Sequence, residues 1–324
     1  MRRSLGCLGL LLILLAVAAG LSASYMWGGK GPLTHNITVT VAPGSSLAAT
    51  SDQLEKVGAI SSASRFRLFA RFLGGGGGIK AGEYRIAAHL SQSDILRILQ
   101  GTKTVQRLVT IPEGRPAVEV RDILMKEDGL TGSVEVPVEG TVLPDSYAYK
   151  RGDTRAFILK RMQHAMVAYL ATAWEKRQPG IAVTTPRDAL ILASIVEKET
   201  ARPDERRMVA AVYSNRLKRG MKLEADPTII YPITKGRALG RRILQSEIDA
   251  KNDYNTYSMT GLPAGPICNP GRASIDAVLN PAQSNAIFFV ADGTGGSVFS
   301  DTYAQHSVNV DKWRAVRRAR GEIP

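Results

Sequence analysis

The sequence predicts an α+β protein: one N-terminal transmembrane helix, a small α+β module and a larger mixed α+β domain. Three observations carry this. An apolar run from Leu5 to Tyr25 follows Met-Arg-Arg-Ser. Short alternating segments of strand type recur among amphipathic helical segments without the regular rhythm of parallel βαβ units. Hydrophobic residues make up 44% of 324 residues, a globular composition with room for one large domain or two small ones.

The apolar run is long enough to cross a hydrocarbon core of about 30 Å. Arg2 and Arg3 precede it, so the positive-inside rule keeps the N-terminus cytoplasmic and exports the remainder. A cleaved signal peptide is the competing reading, with small residues at Ala18-Ala19-Gly20 and Ser22-Ala23-Ser24. The length of the run favours a retained anchor. Cys7 precedes most of the run, unlike a lipoprotein cysteine. The second cysteine, Cys268, is far along the chain, so no intrachain disulfide is expected, and Cys268 is expected to be buried.

Residues 30–106 read as a small module behind a tether. Ile37-Thr-Val-Thr-Val41 alternates as a strand. Leu47–Val57 and Ser64–Leu73 have helical spacing, and Gly82-Glu-Tyr-Arg-Ile86 is a second strand. Five glycines, Gly74 to Gly78, interrupt it as a flexible loop or a tight surface excursion. A helix from Ser91 to Gln100 follows. Val39-Thr-Val-Ala-Pro-Gly44 recurs as Val109-Thr-Ile-Pro-Glu-Gly114, which predicts two strand–turn–helix units of similar shape.

Residues 107–324 form the larger domain. Val138–Tyr147 is a loop carrying Glu139 and Asp145, and Asp153–Lys176 a long helix with Ile158, Met162 and Met166 at core spacing. Thr185, Pro186 and Asp188 are a helix start with a capping-box spacing. The helix continues as Ala189-Leu-Ile-Leu-Ala-Ser-Ile-Val-Glu-Lys-Glu-Thr200 and stops before Pro203. Glu205–Arg219 is a helix ended by Gly220, Leu223–Asp226 a short strand, and Tyr254–Pro270 a Pro/Gly-rich loop. Ile287–Ala291 and Ser297–Phe299 form a hairpin, and His306 begins the closing helix.

The Ala189–Thr200 helix carries the chemistry. An apolar wall raises the pKa of a carboxylic acid and makes it a proton donor near neutral pH. At 100° per residue Glu197 lies with Ala193 and Ser194, while Glu199 lies on the far side with Leu192 and Ile195. The two cannot act on one substrate atom. A buried Glu at a helix end is more often an ion-pair partner than a catalyst, and Lys198, Arg202, Arg206 and Arg207 are near in sequence.

The segments Ile195-Val-Glu-Lys-Glu-Thr200, Asn215-Arg-Leu217, Leu223-Glu-Ala-Asp-Pro-Thr228, Tyr254-Asn-Thr-Tyr257, Gly261-Leu-Pro263 and Phe289-Val-Ala-Asp-Gly293 occur in that order. Together they resemble the YceG-like family of endolytic murein transglycosylases, from about Ile37 to the C-terminus and most strongly from Ala193 to His306. The resemblance implies a membrane-anchored enzyme that cuts peptidoglycan glycan strands, with Glu197, the first Glu of the motif, as catalytic acid. It implies a LysM-like, glycan-binding character for residues 30–106, although Pro43-Gly-Ser-Ser-Leu47 departs from the usual LysM turn. It also implies a location in the inner membrane with the catalytic domain in the periplasm, close to the peptidoglycan synthases of elongation or division.

The implied reaction needs one acid. Glu197 protonates the oxygen leaving MurNAc, and its carboxylate then takes the proton of the C6 hydroxyl, which closes on C1 as a 1,6-anhydro end. An unperturbed Glu would be protonated only about 0.2% of the time at pH 7. Asn215, Asp226, Thr228, Tyr254, Asn255, Thr256 and Tyr257 are the candidate substrate-binding residues, with ordinary loop structure as the alternative for each. No cofactor or metal is expected: His35, His89, His164 and His306 show no ligand spacing, and a pyridoxal phosphate lyase would not be exported. The net charge of +13 asks for an anionic partner. Outside the inner membrane that means lipid headgroups and peptidoglycan carboxylates, not nucleic acid. A non-catalytic glycan-binding scaffold and a two-carboxylate hydrolase using Glu197 with Glu224 or Asp226 are the rivals.

Overall fold

A computed structural model describes residues 2–102 and 104–322. The chain divides into two compact units, Met1–Arg107 and Leu108–Pro324.

In the first unit, helix α1 (Arg2–Gly28) contains the apolar segment Leu10–Gly28, 19 residues long and unburied. Strands β1 (Ile37–Val41) and β2 (Gly82–Ile86) pair antiparallel, with Val39 opposite Tyr84. The alternation in β1 sends Val39 and Val41 inward. Helices α2 (Leu47–Lys56), α3 (Ala63–Leu73) and α4 (Gln92–Gln100) start on the serine caps Ser46, Ser62 and Ser91. They bury Leu54, Phe66, Ile95 and Leu99 with Tyr84 and Ile86. The five-glycine segment is a tethered excursion: Gln100 Nε2 donates to the carbonyls of Gly74 (3.0 Å) and Gly77 (2.7 Å).

The chain enters the second unit within β3 (Arg107–Thr110), which pairs with β4 (Ser146–Tyr149) and is followed by α5 (Ala117–Lys126). The internal repeat is visible in backbone terms. Gly44 and Gly114 end the two copies at φ 78° and 72°, a left-handed turn that glycine adopts without steric cost. Long α6 (Arg155–Glu175) leads to α7 (Pro186–Glu199), whose residues 189–196 are all buried. The predicted capping box of Thr185 and Asp188 is formed, with Pro186 in the first turn. Packed on α7 are α6, α8 (Arg206–Lys218), α9 (Asp226–Thr234) and α11 (Arg272–Leu279), which follows the short α10 (Gln245–Ile248). The hairpin β5 (Phe288–Ala291) and β6 (Ser297–Ser300) precedes α12 (Tyr303–Ala319).

Two element expectations are corrected. Leu223–Ala225 joins no sheet, Glu224 within it takes a left-handed φ of 53°, and Asp226 already belongs to α9. Leu223 and Ala225 are buried as alternation predicts, yet the backbone partners are the Arg216 guanidinium on the Leu223 carbonyl and the Thr256 carbonyl on the Glu224 N–H. The closing helix starts at Tyr303, because Thr302 and Gln305 form a capping box ahead of His306.

Candidate active site

Helix α7 presents its two carboxylates to two different surroundings. Glu197 faces α11. Its Oε2 accepts hydrogen bonds from the Gly271 N–H (3.0 Å) and the Ser274 hydroxyl (2.7 Å). Gly271 is the N-cap of α11 and has no side chain with which to cap it. Glu197, from a neighbouring helix, takes the N–H of that N-cap residue and the hydroxyl three residues on. Glu197 also lines a cleft of about 510 Å³ with Glu113, Gly114, Lys198, Ile230 and Arg237.

Glu199 faces α8 and the start of α9. The Tyr213 hydroxyl donates to its carboxyl, while Oε2 is buried with no hydrogen-bond partner among the described residues. The pKa of Glu199 is pushed up to about 7, chiefly by burial and with help from the nearby Asp226, against the opposing pull of Tyr213 and Arg216. Buried carboxyl oxygens are rarely left unpartnered, and those that are tend to occur at functional sites. Tyr213 is itself buried, its phenol raised well above 10 by desolvation and then by Glu199.

Asp226 accepts a 2.6 Å hydrogen bond from the Tyr257 hydroxyl. Arg216 is held by the carbonyls of Ile287 (2.7 Å) and Leu223 (2.9 Å), pairs with Glu224 at 3.0 Å and lies over the Phe288 ring. Glu224 has φ 53°, an uncommon conformation for a residue with a side chain. Glu199, Tyr213, Asp226 and Tyr257 thus form one polar cluster behind an apolar helix. Of the two acids that a hydrolase pairing with Glu197 would use, Asp226 is engaged by Tyr257 and neighbours Glu199, and Glu224 is engaged by Arg216.

The remaining predicted residues divide by what their polar atoms do. Asn215 spends its amide on the carbonyls of Ser284 (2.8 Å) and Ala286 (3.0 Å). Asn255 is fully buried and donates to the Ile248 and Ala250 carbonyls while accepting from the Tyr257 N–H. Thr228 and Thr256 are fully buried and share a 2.8 Å hydroxyl contact, and Thr256 also accepts from the Ala225 N–H. Thr228 and Thr256 hold the Leu223–Thr228 and Tyr254–Tyr257 segments together, Asn255 braces the second of them, and Asn215 ties α8 to residues 284–286. Tyr254 packs on Tyr231 with ring centroids 4.8 Å apart. Asp226, Tyr254 and Tyr257 retain exposed surface.

Sequence reasoning did not select Tyr213 or Glu139. Glu139, on the loop before β4, accepts from the Ala117 N–H (2.8 Å), from Asn269 Nδ2 (3.3 Å) and from Tyr231. Burial pushes its pKa up to about 7 as well, against the opposing pull of those donors. Its place in an acid-bearing loop was the available signal. Cys268 is fully buried, and burial raises its thiol well above the usual range.

The chain is similar to known proteins along most of its length. The protein named endolytic murein transglycosylase from Bacillus subtilis (strain 168) is 26% identical over 311 residues, covering 86% of this chain and 84% of its own length. A protein of the same name from Streptococcus pneumoniae (serotype 2, strain D39) is 29% identical over 327 residues, covering 85% of this chain, which spans 58% of that relative. The crystal structure of a YceG-like protein from Listeria monocytogenes superposes with a TM-score of 0.53 at 27% identity, covering 85% of this chain and 98% of that one. The model of the YceG-like family matches residues 39–312, and the chain belongs to that family.

Proposed function

We propose that the protein is an endolytic lytic transglycosylase of peptidoglycan, with Glu199 as its acid and base. One observation carries the choice of Glu199: a buried carboxyl with an unpartnered oxygen and a pKa of about 7, bordered by Asp226 and Tyr213. A group that titrates near the working pH can both give and take a proton.

Protonated Glu199 delivers its proton to the glycosidic oxygen between MurNAc and GlcNAc. The C1–O bond breaks and GlcNAc leaves with a 4-hydroxyl. The Asp226 carboxylate, steadied by Tyr257, faces the positive charge that develops at C1. The Glu199 carboxylate then accepts the proton of the C6 hydroxyl of the same MurNAc, and O6 bonds to C1. The product ends in 1,6-anhydroMurNAc, no water is consumed and Glu199 is protonated again.

Glu197 supports a second reading, because it is the α7 carboxylate that lines the 510 Å³ cleft. The paired variants Glu197→Gln and Glu199→Gln, assayed on purified glycan strands with mass spectrometry of the ends, separate the two. Loss of 10²- to 10⁴-fold on Glu199→Gln alone, with wild-type ends one water lighter than reducing MurNAc, is expected. Reducing ends from the wild type would establish hydrolysis instead, and full activity in both variants would leave the scaffold reading.

The finer setting belongs to the same proposal. The α1 segment serves as an inner-membrane anchor, with the second unit periplasmic beside synthases that supply nascent strands. Residues 30–106 serve as a LysM-like glycan-binding module. The β1–α2–α3–β2 order with antiparallel pairing supports that reading.

A further inference from the structure

We propose that helix α3 lies in the headgroup region of the membrane that α1 enters, as an amphipathic second attachment of the first unit to an anionic lipid surface. The inference rests on the reading of α1 as an anchor.

Helix α3 has two apolar faces, and only one is used by the core. Ala63, Phe66 and Ala70 are buried. Arg65, Leu68, Phe69 and Phe72 form a second stripe at i, i+3, i+4 and i+7. On it Leu68 is 53% and Phe72 75% exposed. Single exposed apolar residues need no explanation, but a stripe on a helix of this charge pattern does. The arginines of the stripe and its flank, Arg65 and Arg71, have no acidic partner among the described residues.

The end of α1 touches this stripe. Trp27 packs on Phe69 with centroids 5.7 Å apart and on Phe66 at 5.9 Å, and Arg65 Nη1 reaches Met26 Sδ at 3.7 Å. Gln92 Nε2 holds the Met26 carbonyl at 3.0 Å. The 19 residues Leu10–Gly28 span about 28 Å at 1.5 Å each, close to the thickness of a hydrocarbon core. Trp27 and exposed Tyr25 therefore fall at the membrane boundary, where aromatic residues collect. A stripe in contact with Trp27 is at headgroup depth by position. Apolar residues on one side with unpaired arginines beside them suit an interfacial helix facing anionic lipid.

The test is a depth measurement on the full chain in nanodiscs of phosphatidylethanolamine with phosphatidylglycerol. Nitroxide labels are placed at Leu68→Cys, Phe72→Cys and, as an aqueous reference, Arg151→Cys in a turn of the second unit, all at exposed positions. The expected result is that labels at 68 and 72 collide more with oxygen than with a water-soluble nickel chelate, with the order reversed at 151. Labels at 68 and 72 as wet as that at 151, in protein retained by the disc, overturn the proposal and leave the anchor standing. Labels shielded from both reagents would mean that a protein surface covers the stripe, which also overturns it. Failure of the chain to enter the disc overturns the anchor and the proposal together.

Discussion

Replacement of Glu199 by Gln should cut turnover by about 10²- to 10⁴-fold and, above neutral pH, stabilise the fold. The rise in pKa from an ordinary 4.5 to about 7 corresponds to about 3 kcal/mol held against the ionised form. The sign follows from linkage. A carboxyl raised in the folded state favours folding fully below pH 4.5. That contribution is lost as pH climbs toward 7, and above it the buried charge costs the whole amount. Gln has the same shape and no charge, so the variant should match wild type near pH 4.5 and exceed it by about 3 kcal/mol at pH 8. For a unit of this size that is a rise in melting temperature of about 6–12 °C. Glu139 titrates in the same range and the same direction, but it is present in both proteins and cancels in the difference. Paired urea or thermal melts from pH 5 to 8 provide the assay, with glycan cleavage measured alongside. Activity of the wild type should fall about tenfold per pH unit above 7 as the acid form is lost. Two melting curves that move together across the range would refute the assignment of Glu199 as the buried titrating acid, and a fully active variant would refute its role.

Glu197→Ala should lower stability by about 1–2 kcal/mol, because two donors at the start of α11 lose their acceptor. Activity corrected for the folded fraction should stay within about tenfold of wild type, and a larger loss would move the chemistry to Glu197. Tyr257→Phe removes the hydroxyl that holds Asp226. It should cut kcat by about 10- to 100-fold with little change in KM, read in steady-state kinetics on soluble glycan.

The helix that carries both acids was legible because its start and its burial are local properties. The Thr185–Asp188 capping box and the apolar run 189–196 are written in adjacent residues, and so is the 200° between Glu197 and Glu199. What each face meets is not local. Gly271 and Ser274 lie more than seventy residues downstream of Glu197, and no periodicity connects them. The same limit explains Asn215 and Asn255. Each looks like a sugar-binding amide in sequence, yet each spends its donors on distant or looped-back carbonyls that only the folded chain brings near. The short strand expected at Leu223–Asp226 does not form, since an arginine side chain takes the Leu223 carbonyl in place of a ladder.

The end of a helix is an unfavourable place for a carboxylate, because the last carbonyls carry the negative end of the dipole. Helix α7 puts two acids there, and the surroundings resolve them differently. Glu197 meets the N-terminus of α11, where unpaired N–H groups and the positive end of that helix offset its charge. Glu199 meets a phenol, a second carboxylate and apolar packing, with Arg216 too committed to other acceptors to neutralise it. One acid is thereby fixed as part of the framework. The other is left with a proton it holds only weakly near neutral pH, and a reaction with one group acting first as acid and then as base needs that condition.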